Sequence, residues 1–150
     1  MNVLIGTDGS DDAIRAATRA LPLLATPDTV TVMCVTEMPA IATAGLESGF
    51  GGGIASADEI EAEQAAAETA ANDAVARTVA ALSTPATVVA RIEVGDPGAM
   101  LCRVAEEIAA DIVTVGSRGR GVIKRALLGS VSAHVVHNAP CPVMIVRTND

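Results

Sequence analysis

An open parallel α/β sheet with helices on both faces is the fold class this sequence predicts, and three observations carry it. Five short β-rich runs alternate with helical runs along the chain. Glycines and small polar residues gather where those strands end: Thr7-Asp8-Gly9-Ser10, Val35-Thr36, Gly95-Asp96 and Gly116-Ser117. In a doubly wound sheet, ligands bind beyond the carboxyl ends of the strands. The 150 residues suffice for one ordinary core, and no internal repeat or linker interrupts the order. The expected organisation is therefore a single domain over residues 1–150.

The first strand is read at Asn2 to Thr7. Ser10 can cap the helix that follows, Asp11 and Asp12 suit its positive end, and Ile14, Ala17, Leu21 and Leu24 share one apolar face. Pro22 should kink or shorten that helix. Strand two spans Thr29 to Val35, and Glu37 to Ser56, with five glycines and little periodicity, reads as a flexible surface loop. From Asp58 to about Ser83, Ile60, Ala67, Ala71, Val75, Val79 and Leu82 form the stripe of a long amphipathic helix whose acidic residues form a solvated face.

Strand three, Thr87 to Val94, leads into Gly95-Asp96-Pro97, with Asp96 as cap and Pro97 as first helical residue. The third helix buries Leu101, Val104 and Ile108. Strand four is Ile112 to Val115, a fourth helix runs from about Ser130 to Asn138, and Pro142 opens strand five at Val143 to Val146.

Composition narrows the function. The longest apolar runs are too short to cross a bilayer, and Met1 to Ile5 reads as a strand and not as a signal peptide, so a soluble cytoplasmic protein with no membrane partner is expected. Cys34, Cys102 and Cys141 are odd in number and form no Cys-x-x-Cys pair, which points to free thiols in a reducing compartment. His134, His137 and Cys141 could be drawn as a metal cluster, but further ligands are missing and no metal site is expected.

The net charge is −8, yet four of the ten Lys and Arg residues, Arg118, Arg120, Lys124 and Arg125, fall in one segment, and no Asp or Glu occurs between Asp111 and Asp150. That is a local anion site. Nucleic acid would call for a basic stripe and stacking aromatics, whereas Phe50 is the only Phe, Tyr or Trp, so no nucleic-acid partner is expected. Glycines from Gly116 onward allow backbone N–H groups to approach an anion, and a helix starting near Ser130 would aim its positive end at the same point.

Gly116, two residues, Gly119, nine residues, then Gly129-Ser130 matches the spaced nucleotide motif of the universal stress protein family. The opening strand into Thr7-Asp8-Gly9-Ser10, the Gly95-Asp96-Pro97 turn and the closing Ala139 to Val146 run also resemble that family, so the resemblance covers essentially the whole chain. It implies a Rossmann-like sheet ordered 3-2-1-4-5, akin to the adenine nucleotide α-hydrolases, and membership of the ATP-binding subgroup. It further implies that Asp8, with Thr7 beside it, lies near adenine and ribose, and that the Val35 backbone contacts adenine. Gly116, Arg118 and Gly119 would cradle ribose and phosphates, and Gly129, Ser130, Val131 and Ser132 would meet the phosphates. Many members carry His where this chain has Arg118, and an arginine pairs with phosphate more strongly than a neutral imidazole.

The functional expectation is a nucleotide-responsive regulatory module in the stress response that binds ATP with Mg2+ assisting. No P-loop or nucleophile elbow is present, and no catalytic residue is assigned, although slow ATP turnover stays open. Two alternatives also stay open: a small adenine-nucleotide hydrolase or adenylyl-transferring enzyme, and a sensor of AMP or cyclic AMP. Capping and turn roles compete with ligand contact at Asp8, Ser130, Ser132 and, most of all, Asp96. Strand five would occupy a sheet edge, and a homodimer pairing Val143 and Ile145 with their counterparts is expected.

Overall fold

A computed structural model describes residues 1–37, 56–117, 119 and 128–148. Its strands are β1 (Asn2–Gly6), β2 (Thr29–Thr36), β3 (Thr87–Val94), β4 (Ile112–Gly116) and β5 (Val143–Val146). The helices are α1 (Asp11–Ala20), α2 (Ala57–Ala81), α3 (Pro97–Glu107) and α4 (Ser130–Asn138). All four strand pairings are parallel, and the order is β3-β2-β1-β4-β5. Successive connections leave β1 in opposite directions, so β1 and β4 flank the switch point.

Alternation along the strands divides the core. Val3, Ile5, Val30, Val32 and Cys34 face one side and bury Ala17 of α1 and Leu21 just after it with Ala71, Ala74 and Val75 of α2. Leu4, Met33, Val113 and Val115 face the other and bury Leu101 and Val104 of α3 with Val135 of α4. A side-chain period of two sends successive residues to opposite faces, and both faces here are covered.

The helix signals act where the residue chemistry puts them. Ser10 caps α1, accepting from the Ala13 N–H at 3.2 Å. Pro22 shortens that helix: α1 ends at Ala20 and a 3₁₀ turn, Leu21–Leu23, carries the proline. Ser56 and Glu59 form a reciprocal capping box on α2. Asp96 caps α3, accepting from Ala99 N–H at 2.8 Å, with Pro97 first in the helix.

Several boundaries differ from the sequence reading. Strand β1 stops one residue before Thr7, while β2 and β4 each run one residue further, to Thr36 and Gly116. Helix α3 ends at Glu107 because the chain turns left-handed at Ala109 (φ 47°), with Ala110 N–H donating to Ala105 O at 2.8 Å and Ala109 N–H to Glu106 O at 3.1 Å. This is a Schellman closure with alanine where glycine is usual. Of the expected Glu37 to Ser56 loop, only its two end residues fall within the described residues. Among the described residues no helix is long and apolar enough to cross a membrane; α2 has 25 residues but carries an acidic first half.

Candidate functional site

A cavity of about 640 Å³ opens at the switch point. Its walls come from the ends of β1 (Gly6, Thr7, Asp8), β2 (Val35, Thr36, Glu37) and β4 (Val115, Gly116), with Gly119 beyond. The start of α4 contributes Gly129, Ser130, Val131 and Ser132. Helix α2 closes one side with Ala67, Ala70 and Ala71, and α3 closes another with Pro97 and Leu101. The cavity is thus polarised: aliphatic over β2, glycine and serine beyond β4.

Nine of the ten expected site residues line this one space: Thr7, Asp8, Val35, Gly116, Gly119 and the run Gly129 to Ser132. The tenth, Arg118, lies outside the described residues, as do Arg120, Lys124 and Arg125. The only described lining side chains that titrate are the two carboxylates, Asp8 and Glu37, and the Cys34 thiol.

Side-chain hydrogen bonds shape the β1–α1 turn. Asp8 Oδ1 accepts from Ser10 N–H at 2.9 Å and from Ser10 Oγ at 2.6 Å, the turn role open to it from sequence, while a β-carbon at Gly119 would stand 3.5 Å from its other carboxylate oxygen, Oδ2. Thr78 on α2 donates its hydroxyl to Ala74 O at 2.8 Å, so the 2.8 Å bond between Thr7 and Thr78 takes its proton from Thr7. Thr7 Oγ1 in turn accepts from Gly9 N–H at 3.1 Å. The Thr7 hydroxyl therefore serves the fold. Thr78 was not legible as a partner, because nothing in a helical stripe says which strand end it meets.

Helix α4 begins differently from the other three. Its cap residue is Gly129 (φ −72°, ψ 165°), and among the described residues no side chain caps its first N–H groups. Ser130 is exposed and Ser132 buried. The Ser132 hydroxyl donates toward Gly129 O at 2.9 Å and Ser117 O at 3.3 Å, a structural bond and not an N-cap. Gly129 N–H also donates to Ser117 O at 2.9 Å, which joins the two ends of the cation-bearing segment at one neck. An uncapped helix start opening on a cavity presents free N–H donors and the positive end of the macrodipole, an arrangement suited to an anion.

The sequence of residues 1–147 matches the model of the universal stress protein family. This chain belongs to that family. The chain is 40% identical over 58 residues to a universal stress protein A-like protein of Arabidopsis thaliana, covering 39% of this chain and 33% of that protein. It is 45% identical over 56 residues to a universal stress protein of Synechocystis, covering 37% of this chain and 52% of that one. The matched stretches thus span a third to about half the length of these relatives.

Solved structures share the fold over nearly the whole chain. Protein MJ0577 superposes with a TM-score of 0.77 at 24% identity, covering 99% of this chain and 96% of its own. A universal stress protein in complex with cAMP is 28% identical (TM-score 0.60, 99% and 98% covered). An Arabidopsis thaliana family protein with AMP bound is 22% identical (TM-score 0.66, 99% and 92% covered).

His137 Nδ1 lies 2.7 Å from Ala133 O, and the β-carbon and ring of His134 pack on Gly98. Burial pushes the Cys102 and Cys141 thiols up. Among the described residues no group of three or more His, Cys, Asp or Glu is placed to hold a metal ion.

Proposed function

We propose that this chain is an ATP-binding regulatory member of its family, with the phosphates at the start of α4 and the adenine at the β2 end of the cavity. The observation that carries this reading is the uncapped N-terminus of α4, opening on a cavity it shares with Gly116 and Gly119. Free N–H groups and close backbone approach suit a polyphosphate. The aliphatic walls formed by Ala67 and Ala71 on one side and by Pro97 and Leu101 on another suit a planar base, which the backbone of Val35 would meet at its edge. Asp8 and Glu37 bring negative charge to the same space. Asp8 would be the carboxylate to help hold a Mg2+ ion, whose charge would offset that repulsion, since magnesium is commonly held by one or two carboxylates together with phosphate oxygens. Arg118 adds charge to the polyphosphate. No catalytic residue forms part of the proposal.

The test is calorimetry with ATP on wild type and on the pair Gly129→Val with Ser130→Ala, checked for folding by circular dichroism. Loss of at least about tenfold in affinity is expected, because charge-assisted bonds to phosphate are worth about 1.5–3 kcal/mol each. Undiminished affinity in the folded variant overturns the site. The relatives solved with cAMP and AMP favour a second reading, a monophosphate sensor. Competition by both ligands in the same titration decides between the readings, with ATP expected to bind more tightly.

A homodimer through β5 belongs to the same proposal. Strand β5 is at one sheet edge and carries four half-buried apolar residues with no charge. The opposite edge, β3, carries Arg91 and Glu93, joined to Glu107 and Arg103 of α3. Charged residues are a common guard against edge pairing, so β5 is the edge left to a partner.

A further inference from the structure

The last residues of the described chain bond to both sides of the cavity mouth. Ser117 N–H donates to Val146 O at 2.9 Å, and Ser117 O holds Gly129 N–H and the Ser132 hydroxyl, so the end of β5 is fixed to the neck from which α4 starts. Two residues later Thr148, 6% exposed, donates its hydroxyl to Asp12 Oδ1 at 2.9 Å, across 136 residues of sequence. Arg19 reaches the intervening Arg147 carbonyl at 3.4 Å. Asp12 is in the first turn of α1, between Ser10, which orients Asp8, and Ala13, which lines the cavity. The β1 and β4 sides of the cavity are therefore tied to one short strap.

We propose that Thr148, through Asp12, is a positioning residue that fixes the Asp8–Ser10 turn against the α4 start, and so sets the affinity of the cavity for nucleotide. The proposal rests on the nucleotide reading of the site. Neither Thr148 nor Asp12 lines the cavity, and their bond crosses from the end of the final strand to the first helix. Its loss frees the α1 turn to tilt while leaving the Ser117–Val146 tie intact. A site assembled from two bonded halves loses affinity when one half is released, because binding must then order it again.

The test uses the full chain in four forms: wild type, Thr148→Val, Thr148→Ser and Asp28→Asn. Asp28 bonds the N-terminal amine at the opposite end of the sheet, so its variant loosens a tie remote from the cavity. ATP affinity is read by calorimetry, and amide hydrogen exchange is followed in Gly9 to Ala13 and, as a control, in α3. Thr148→Val is expected to weaken ATP by about three- to tenfold, in the range of remote positioning effects, and to speed exchange in the α1 turn but not in α3. Thr148→Ser, which keeps the donor, should restore both, and Asp28→Asn should leave both as in wild type. Equal ATP affinity and exchange in Thr148→Val and wild type overturns the proposal, as does an equal loss in Asp28→Asn. If wild type binds no nucleotide, the reading of the site fails, and exchange alone then decides whether Thr148 fixes the turn.

Discussion

Replacing Gly9 by alanine tests how the β1–α1 turn is built. Gly9 has φ +75°, and a β-carbon there would stand 2.5 Å from the Ala74 β-carbon and 2.7 Å from the Ala74 α-carbon of α2. Two costs add. A left-handed conformation costs a non-glycine residue about 1–2 kcal/mol, and forcing a methyl group against packed structure costs about 1–3 kcal/mol more. The sum, about 2–5 kcal/mol, corresponds to a fall in Tm of roughly 5–15 °C for a chain of this size. Urea unfolding followed by circular dichroism measures it. Adding Ala74→Gly removes the nearer contact but leaves the α-carbon at 2.7 Å, so the double variant should recover only part of the loss. A Gly9→Ala protein within about 0.5 kcal/mol of wild type would refute the reasoning, since neither cost would then have been incurred.

Three further outcomes follow from particular residues. Thr114 is fully buried in β4 and its hydroxyl has no hydrogen-bond partner among the described residues, so Thr114→Val should raise stability by about 1 kcal/mol in urea unfolding; an equal loss would reveal a partner. Ile145→Lys should shift the protein toward monomer in sedimentation equilibrium over a dilution series, and unchanged association would show that β5 is not the paired edge. Glu107 is held below the usual carboxylate range by hydrogen bonds from Arg91, helped by the charges of Arg91 and Arg103. Its folded value lies below its unfolded one, so its contribution to stability is present above the ordinary glutamate pKa of about 4.3 and is lost as pH falls through the lowered value. An NMR titration should show the Glu107 midpoint rising in Arg91→Ala; an unmoved midpoint contradicts the pair.

What was legible in the sequence was local. Ser10, Asp96 and Pro97 sit where capping chemistry puts them, and the stripe from Ile60 to Leu82 is the buried or half-buried side of α2, because caps and periodicity act within one element. Gly116, Gly119 and Gly129, singled out by their spaced motif, line one cavity. Contacts between distant elements were not legible. Gly9 against Ala74, Thr7 with Thr78, and Gly98 against His134 each depend on which helix crosses which strand end. The end of α3 carried no sequence signal, because Ala109 adopts a left-handed conformation that sequence normally marks with glycine or asparagine. Thr148, at the far end of the chain, gave no signal at all of its bond to Asp12.

The most direct test of the central claim is an amide chemical-shift titration of the wild-type protein with ATP in the presence of Mg2+, run beside adenosine. ATP is expected to move the amides of Gly129, Ser130 and Val131 at the uncapped start of α4, together with Val35 at the end of β2. Adenosine should move Val35 and leave the α4 amides nearly still. Shifts confined to surfaces away from the cavity, or an α4 start indifferent to ATP, would contradict the account.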